Sequence, residues 1–431
     1  MISRQFERIV FIDLPGEKKP VPAGLFSLDT DLGVGRFQYG RRYLERPNAL
    51  PLDPVNLPLT TDEHITKKNN GIFGIIGDVL PDSWGRYILA KQLNIPFGTL
   101  KDHELIDMAS SHTVGALSFG KTPDRPETLK EKAVSLTDLD EVADVFERAL
   151  DEAPLPAEIR YLLRQGTSLG GAQPKCPVII DGDEWIAKFE SSKTLVRYPP
   201  IEFATMTLAR KAGITIPAIR LETIGERAVY LVKRFDRQGK KRLPFLSAFA
   251  LSNLDIDELE QGSYLAIANQ MRKFVEQVRR AHHELFRRIT FNMMMRNEDD
   301  HLRNHGFICE DGWDLSPAYD ILPMPARRKS GDTYHLALQI GEFGSEATLA
   351  NLLSRHEHFS LDKDEALEIV REVFDALHDW ESIFKKSGVS MPDLESVRWC
   401  FEGFRTAYGH KIAPADKLLS KTDSKATGTK R

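Results

Sequence analysis

Between Cys176 and Glu190 the chain reads CPVII-DGDE-WIAKFE, and this stretch constrains the fold more than any other. An Asp-Gly pair between runs of β-formers specifies a tight hairpin, here Asp181-Gly182 between two strands. A helical pattern, PIEFATMTLARKAG, follows, and Gly213 is placed to close it. IRLETI and RAVYLVKRF then return to strand character. Upstream of the hairpin, GTSLGGAQPK is a glycine-rich turn.

The first fifty residues also read as short strands, RIVFIDL, GLFSLD and GVGRFQY, separated by Gly, Pro and Asp. Asp82 or Ser83 after Pro81 can cap a helix carrying Trp84, Tyr87 and Ile88 on one face. Leu89 and Leu93 lie on another. Residues 1–120 therefore form a small α+β unit, joined through the polar GKTPDRPETLKEKA to a second unit over 121–235. From about 135 to 165 the pattern is helical, and beyond 255 long amphipathic helices dominate to about 411. The last stretch, 412–431, is polar and basic and is expected to be disordered.

Bulk composition excludes several classes. With 58 basic against 63 acidic residues, the net charge of −5 does not suggest a dedicated nucleic-acid binder. The three cysteines, Cys176, Cys309 and Cys400, are far apart and lack zinc or disulfide spacing, as expected in a reducing, cytoplasmic setting. No apolar run approaches eighteen residues, so no membrane span is expected.

The stretch RNEDDHLRNHGF, Arg296 to Phe307, concentrates polar groups between apolar flanks. A metal cluster, an acid/base site for group transfer and a plain polar loop all compete for it. A zinc site would need a second His/Asp cluster, which the sequence lacks. Met293 to Met295, just before, read as core packing. Asp299 and Asn304 stand five positions apart, the spacing of a kinase catalytic Asp and its metal-binding Asn. Asp300 is four from Asn304 and reads as a solvated neighbour or a cap. HGFIC-EDG-WDL then reads as a two-stranded hairpin that returns the chain toward Asn304 and delivers Asp320 as a second metal carboxylate.

The other candidates have the same mixed standing. Gly166, Gly170 and Gly171 allow backbone amides to approach a phosphate, but the loop matches neither Walker A nor G-x-G-x-x-G. Lys188 shares a strand face with Ile186 and needs a charge partner if it points inward; Glu202 on the next helix is placed to supply one. A strand lysine paired to a helix glutamate is the kinase arrangement for nucleotide phosphates.

Taken in order, SLGGAQPK, WIAKFE, KRFDR, NEDDHLRNHGF and LSPAYDILP resemble the HipA family of bacterial serine/threonine kinases, the toxins of type II toxin–antitoxin pairs. RFQYGRRYLERPNALPLDPVNLPL and DVLPDSWGR are similar to that family's N-terminal subdomain, so the resemblance covers residues 1 to about 400. It implies an α+β, two-lobed protein-kinase-like fold with a small N-terminal subdomain and a largely helical C-lobe. It also implies ATP and Mg²⁺ as cofactors. ATP would be met by Ser168, Gly170, Gly171, Lys188, Glu202 and the hinge Lys233, Arg234 and Phe235, whose backbone reads the adenine. Asp299 matches the catalytic Asp, and Asn304 and Asp320 match the Mg²⁺ ligands. Ser168, with Thr167 beside it, matches an inhibitory autophosphorylation site. The implied partners are a small helix-turn-helix antitoxin, operator DNA mainly through that antitoxin, and a protein substrate such as an aminoacyl-tRNA synthetase. A small-molecule kinase of similar architecture and a kinase-shaped corepressor remain as alternatives.

Overall fold

The computed structural model describes residues 5–109, 112–127, 134–150, 173–191, 193–239, 241–324 and 334–412. The first sheet holds β1 (Gln5–Ile12), β2 (Val21–Asp29), β3 (Val34–Tyr39), β4 (His64–Thr66) and β5 (Leu117–Gly120) in the antiparallel order β4-β3-β2-β1-β5. Phe26 and Phe37 pair across β2 and β3 and pack edge-on against Phe73.

Phe73 leads into two helices, α1 (Gly74–Val79) and α2 (Ser83–Leu93). Gly74 is required by contact: a Cβ there would lie 2.4 Å from the Ala250 Cα. Gly74→Val should therefore destabilise the chain by about 1–3 kcal/mol through overpacking. A urea midpoint identical to that of the parent would show that α1 is not clamped there.

The second sheet runs β6-β7-β8-β10-β9: β6 (Val134–Ser135), β7 (Lys175–Ile180), β8 (Asp183–Phe189), β9 (Ile219–Ile224) and β10 (Arg227–Lys233). Only the β6–β7 pair is parallel. The hairpin forms as its sequence dictates, with Asp181 at φ 53° and Gly182 at φ 85°. Both residues are left-handed, as a type I′ turn requires. Two helices accompany this sheet, α3 (Leu139–Leu150) and α4 (Tyr198–Lys211), the second followed by Gly213 at φ 81°. The α2 helix is two-faced, as expected. Trp84 and Ile88 enter the core of the second sheet, while Leu89 joins the main core. Leu93 departs from the expectation, being exposed at the helix end.

The remainder is mainly helical: α5 (Ala248–Ser252), α6 (Tyr264–Met271), α7 (Val278–Met294), α8 (Lys363–Ala376), α9 (Trp380–Lys386) and α10 (Met391–Ile412). The long amphipathic run breaks between α6 and α7, where Val275 bridges to Trp313 and the Glu276 N–H reaches the Trp313 carbonyl. Met293, Met294 and Met295 are core residues. The segment 413–431 lies outside the described residues.

Past β10 a short ribbon, β11 (Arg237–Gln238) and β12 (Lys241–Arg242), carries two of three arginines that seize one segment of the first unit. Arg234 donates to the carbonyls of His112 (2.6 Å) and Thr113 (3.0 Å), and Arg237 to that of Thr113 (2.7 Å). Arg242 donates to those of Gly115 and Leu117, both at 2.9 Å. Asp236 is the central anion, accepting from Arg234, Arg237 and the Gly115 N–H. Last, β13 (Phe245–Ser247), β14 (Gly306–Cys309) and β15 (Trp313–Leu315) form a three-stranded sheet in that order. The two-stranded hairpin expected from the sequence gains β13 because Phe245–Ser247 pairs with a segment some sixty residues away, beyond the reach of local pattern.

Candidate active site

Lys188 points inward from β8 and is 6% exposed. Such a cation requires compensation. Its ammonium lies 2.6 Å from Glu202 Oε1 on α4 and also pairs with the Asp320 carboxylate. Burial alone would lower the lysine's pKa, but Asp320 and Glu202 more than reverse this and hold it above the ordinary value. Burial pushes the Glu202 carboxyl up against the pull of Lys188, and its Oε2 has no hydrogen-bond partner among the described residues. Asp320 behaves in the opposite way. Burial would raise it, yet Lys188 and then Lys175 hold it at about 2, so it is an ionised oxygen donor at neutral pH.

Three contacts place Asp320 there. The Ala318 N–H donates to the Thr215 carbonyl (2.8 Å), and the Tyr319 hydroxyl to the Arg303 carbonyl (2.9 Å). The Phe235 ring stacks on Tyr319 with centroids 5.6 Å apart. Asp320 itself is left-handed at φ 54°, a conformation that Asp tolerates better than most residues but that still costs energy.

In the polar stretch the neighbouring aspartates separate cleanly. Asp299 is exposed; its backbone carbonyl, not its carboxylate, accepts from the His301 N–H (2.8 Å) and Asn304 Nδ2 (3.1 Å). The carboxylate is thus at the surface of a loop braced by Asn304. Asp300 is neither solvated nor a cap, contrary to expectation. It is 2% exposed and accepts from Asn292 Nδ2 (2.7 Å), His305 Nε2 (3.0 Å) and the Tyr264 hydroxyl. Packing of α6 and α7 around it decides this, which no local spacing reveals.

The hinge candidates divide likewise. Lys233 sends its ammonium to Asp183 (2.5 Å), and Arg234 buries its guanidinium in the arginine cluster. Their N–H groups go to the carbonyls of Ala218 (2.8 Å) and Glu184 (3.0 Å). Both N–H groups are therefore engaged within the protein, and Phe235 stacks on Tyr319 beside Asp320. Thr167, Ser168, Gly170 and Gly171 lie outside the described residues.

Sequence reasoning missed Lys175. It pairs in register with Lys188 across β7 and β8 and is 2% exposed. Burial lowers its pKa, and Asp320 pulls it back up. The signal was available, since Lys175 opens a strand next to the glycine loop, as Lys188 nearly closes the partner strand. Among the described residues no three His, Cys, Asp or Glu side chains converge on a metal-sized site. Asn304 and Asp320 nevertheless supply hard oxygens of the kind Mg²⁺ selects when phosphates and water complete its shell. No helix among the described residues is long and apolar enough to cross a membrane. The three cysteines are buried and free.

Residues 19–120 match the HipA N-terminal domain and residues 167–380 the HipA-like C-terminal domain. The serine/threonine-protein kinase toxin HipA of Shewanella oneidensis is 25% identical over 314 residues, spanning 64% of this chain and 67% of its own. A protein of Haemophilus influenzae that carries a kinase name is 24% identical over 277 residues, spanning 54% of this chain and 79% of its own. Among solved structures, HipA from the Shewanella oneidensis MR-1 complex of HipA, HipB and operator DNA superposes with a TM-score of 0.67 at 18% identity, covering 93% of this chain and 99% of that one. With both domain types in order and a kinase-like α+β fold, this chain belongs to the HipA family of kinases.

Proposed function

We propose that this chain is an ATP- and Mg²⁺-dependent serine/threonine protein kinase that acts as the toxin of a toxin–antitoxin pair. The observation that carries the reading is the triad Lys188–Glu202–Asp320, drawn from β8, α4 and the segment after β15, beside the Asp299–Asn304 loop. In the free chain Lys188 and Asp320 neutralise each other. On nucleotide binding, Lys188 would exchange Asp320 for a phosphate oxygen, while Asp320 would exchange Lys188 for the cation. Glu202 keeps Lys188 aimed throughout. Asn304 and Asp320 would hold Mg²⁺, which supplies charge neutralisation on the transferring phosphate. Asp299, exposed at the loop, orients the incoming hydroxyl and accepts its proton. The backbone of the hinge, Lys233 to Phe235, would read the adenine through groups other than the engaged N–H groups of Lys233 and Arg234, with the Phe235 ring beside it.

The remaining assignments rest on the family. Ser168 would be the autophosphorylated residue of the glycine loop, where a dianionic phosphate repels ATP. A small helix-turn-helix antitoxin would hold the kinase inactive and carry most DNA contacts, as befits a chain of net charge −5. The substrate would be a protein of the translation machinery, such as an aminoacyl-tRNA synthetase. Incubation of the chain with Mg²⁺ and labelled ATP, followed by mass spectrometry, tests the reading. The parent should carry label on Ser168 or Thr167, and Lys188→Met should lose it by about a hundredfold or more. A parent that neither binds nucleotide nor takes label, with Ser168 and Thr167 bare, would favour a corepressor instead.

A further inference from the structure

The short helix α5 is gripped by the N-terminal unit and in turn grips the Asp299–Asn304 loop. The N-terminal unit takes hold at both ends of the helix and along its side. At the start, the Asp78 carboxylate of α1 commits both oxygens to Ser247, accepting from its N–H (2.7 Å) and its hydroxyl (2.6 Å). The same hydroxyl accepts from the Ala250 N–H (3.0 Å) and so caps α5. At the far end Asn56, itself anchored to the Asp53 carboxylate (2.8 Å), donates to the carbonyls of Ala250 (3.2 Å) and Leu251 (3.3 Å). Between these contacts Gly74 lets α1 abut Ala250 directly.

The same few residues reach the loop. Ser247 pairs with Gly306 across β13 and β14, and the next N–H, that of Ala248, donates to the His305 carbonyl (2.8 Å). The Arg303 guanidinium lies over the Phe249 ring, 4.2 Å from its centroid. Both chain neighbours of Asn304 are therefore held by α5. Asn304 passes this hold on, since its Nδ2 donates to the Asp299 carbonyl (3.1 Å). The Tyr319 hydroxyl adds a bond to the Arg303 carbonyl (2.9 Å).

A helix of five residues has little stability of its own, so its place is set by what grips it. We propose that Asp78 is a positioning residue for phosphoryl transfer: through Ser247 and α5 it fixes where Asn304 and Asp299 stand. The N-terminal unit thereby supports an active site that lies outside it. The effect on rate rests on the kinase reading above, whereas the hold on the loop does not. Hydrogen bonding, rather than charge, is what Ser247 requires of residue 78. A serine hydroxyl can donate or accept, so an amide can replace the carboxylate and a methyl group cannot.

The test compares the full chain with Asp78→Ala, Asp78→Asn, Ser247→Ala and the Asp78→Ala/Ser247→Ala double variant. Single-turnover transfer from ATP with Mg²⁺, nucleotide affinity, thermal unfolding and amide hydrogen exchange are measured for each. Asp78→Ala should slow transfer about tenfold or more, the scale for a displaced reacting group. Nucleotide affinity should stay within about threefold, because Lys188 and Glu202 stand on β8 and α4. Exchange should quicken over 301–306 and stay as in the parent over β7 and β8. Asp78→Asn should restore most of the rate. Since Asp78 and Ser247 share a bond, the double variant should lose less than the product of the single losses. Ser247→Ala carries the test if Asp78→Ala does not fold. A folded variant that transfers phosphate at the parental rate would overturn the proposal, as would Asp78→Asn being as slow as Asp78→Ala. A fall in nucleotide affinity equal to the fall in rate would do the same. A parent that neither binds nor turns over ATP would sink the kinase reading instead. Faster exchange over 301–306 in Asp78→Ala would then still support the hold on the loop, and unchanged exchange would refute it.

Discussion

Asp299→Asn will lower phosphoryl transfer by about a thousandfold, within the range for loss of a general base, while nucleotide affinity changes by no more than about threefold. The rate effect follows from the proposed role. The selectivity follows from geometry, because the Asp299 side chain is exposed and the loop is braced through its carbonyl, which the substitution preserves. The Asn304 and His301 donors keep their acceptor. Unfolding should therefore be unaffected. Asp300 offers no such separation, since its carboxylate joins Asn292, His305 and Tyr264 in the interior. Single-turnover transfer and nucleotide titration, measured side by side, decide the matter. If Asp299→Asn matches the parent in rate, Asp299 is not the base and the kinase assignment of this loop fails.

Asp236→Ala is expected to cost about 3–5 kcal/mol, the magnitude for removing one partner of a buried charge network. Asp236 faces Arg234 Nε at 2.9 Å, Arg234 Nη2 and Arg237 Nη1 at 2.7 Å, and the Gly115 N–H at 2.8 Å. Its loss leaves two buried guanidiniums with Glu184 as their remaining carboxylate among the described residues. The break falls between the first unit and the segment after β10, so residues 112–117 should become sensitive to limited proteolysis before the rest unfolds. The same carboxylate predicts a pH dependence. Burial would raise its pKa, but Arg234 and Arg237 hold it well below the usual carboxylate range. A depressed carboxylate contributes stability that is complete above its unfolded value of about 3.9 and is lost as pH falls toward the folded value. The parent should thus lose stability below about pH 4, and Asp236→Ala should lack that component. Urea midpoints from pH 3 to 7 measure both effects; parallel curves for the two proteins would show that Asp236 carries no such linkage.

The candidate site was legible only in parts. Lys188 and Glu202 could be paired in advance because an inward strand lysine must find an anion, and the following helix offers the nearest one. The spacing of Asp299 and Asn304 could be read because a loop of that length determines what its ends can touch. The side-chain partners of Lys233 and Arg234, Asp183 and Glu184, could not be foreseen, since they lie in β8, fifty residues upstream. Lys175 was passed over although its place beside the glycine loop could be seen, because what sets it apart is burial in register with Lys188, which exists only in the folded sheet.

Short-range pattern was enough for the local elements: the Asp181-Gly182 hairpin, the helix that Gly213 ends, the two faces of α2 and the order of motifs that marks a HipA-family kinase. These depend on residues a few positions apart, where backbone preference and side-chain period act directly. Packing between distant segments settled that β13 completes the third sheet and that Asp300 is internal while Asp299 is exposed. It also settled that three arginines bind the N-terminal unit to the segment after β10, and that α1 abuts α5 while Trp84 of α2 enters the core of the second sheet. Each of these joins groups distant in sequence, and burial, which fixes the cost of leaving a charge unpaired, exists only once the chain has folded.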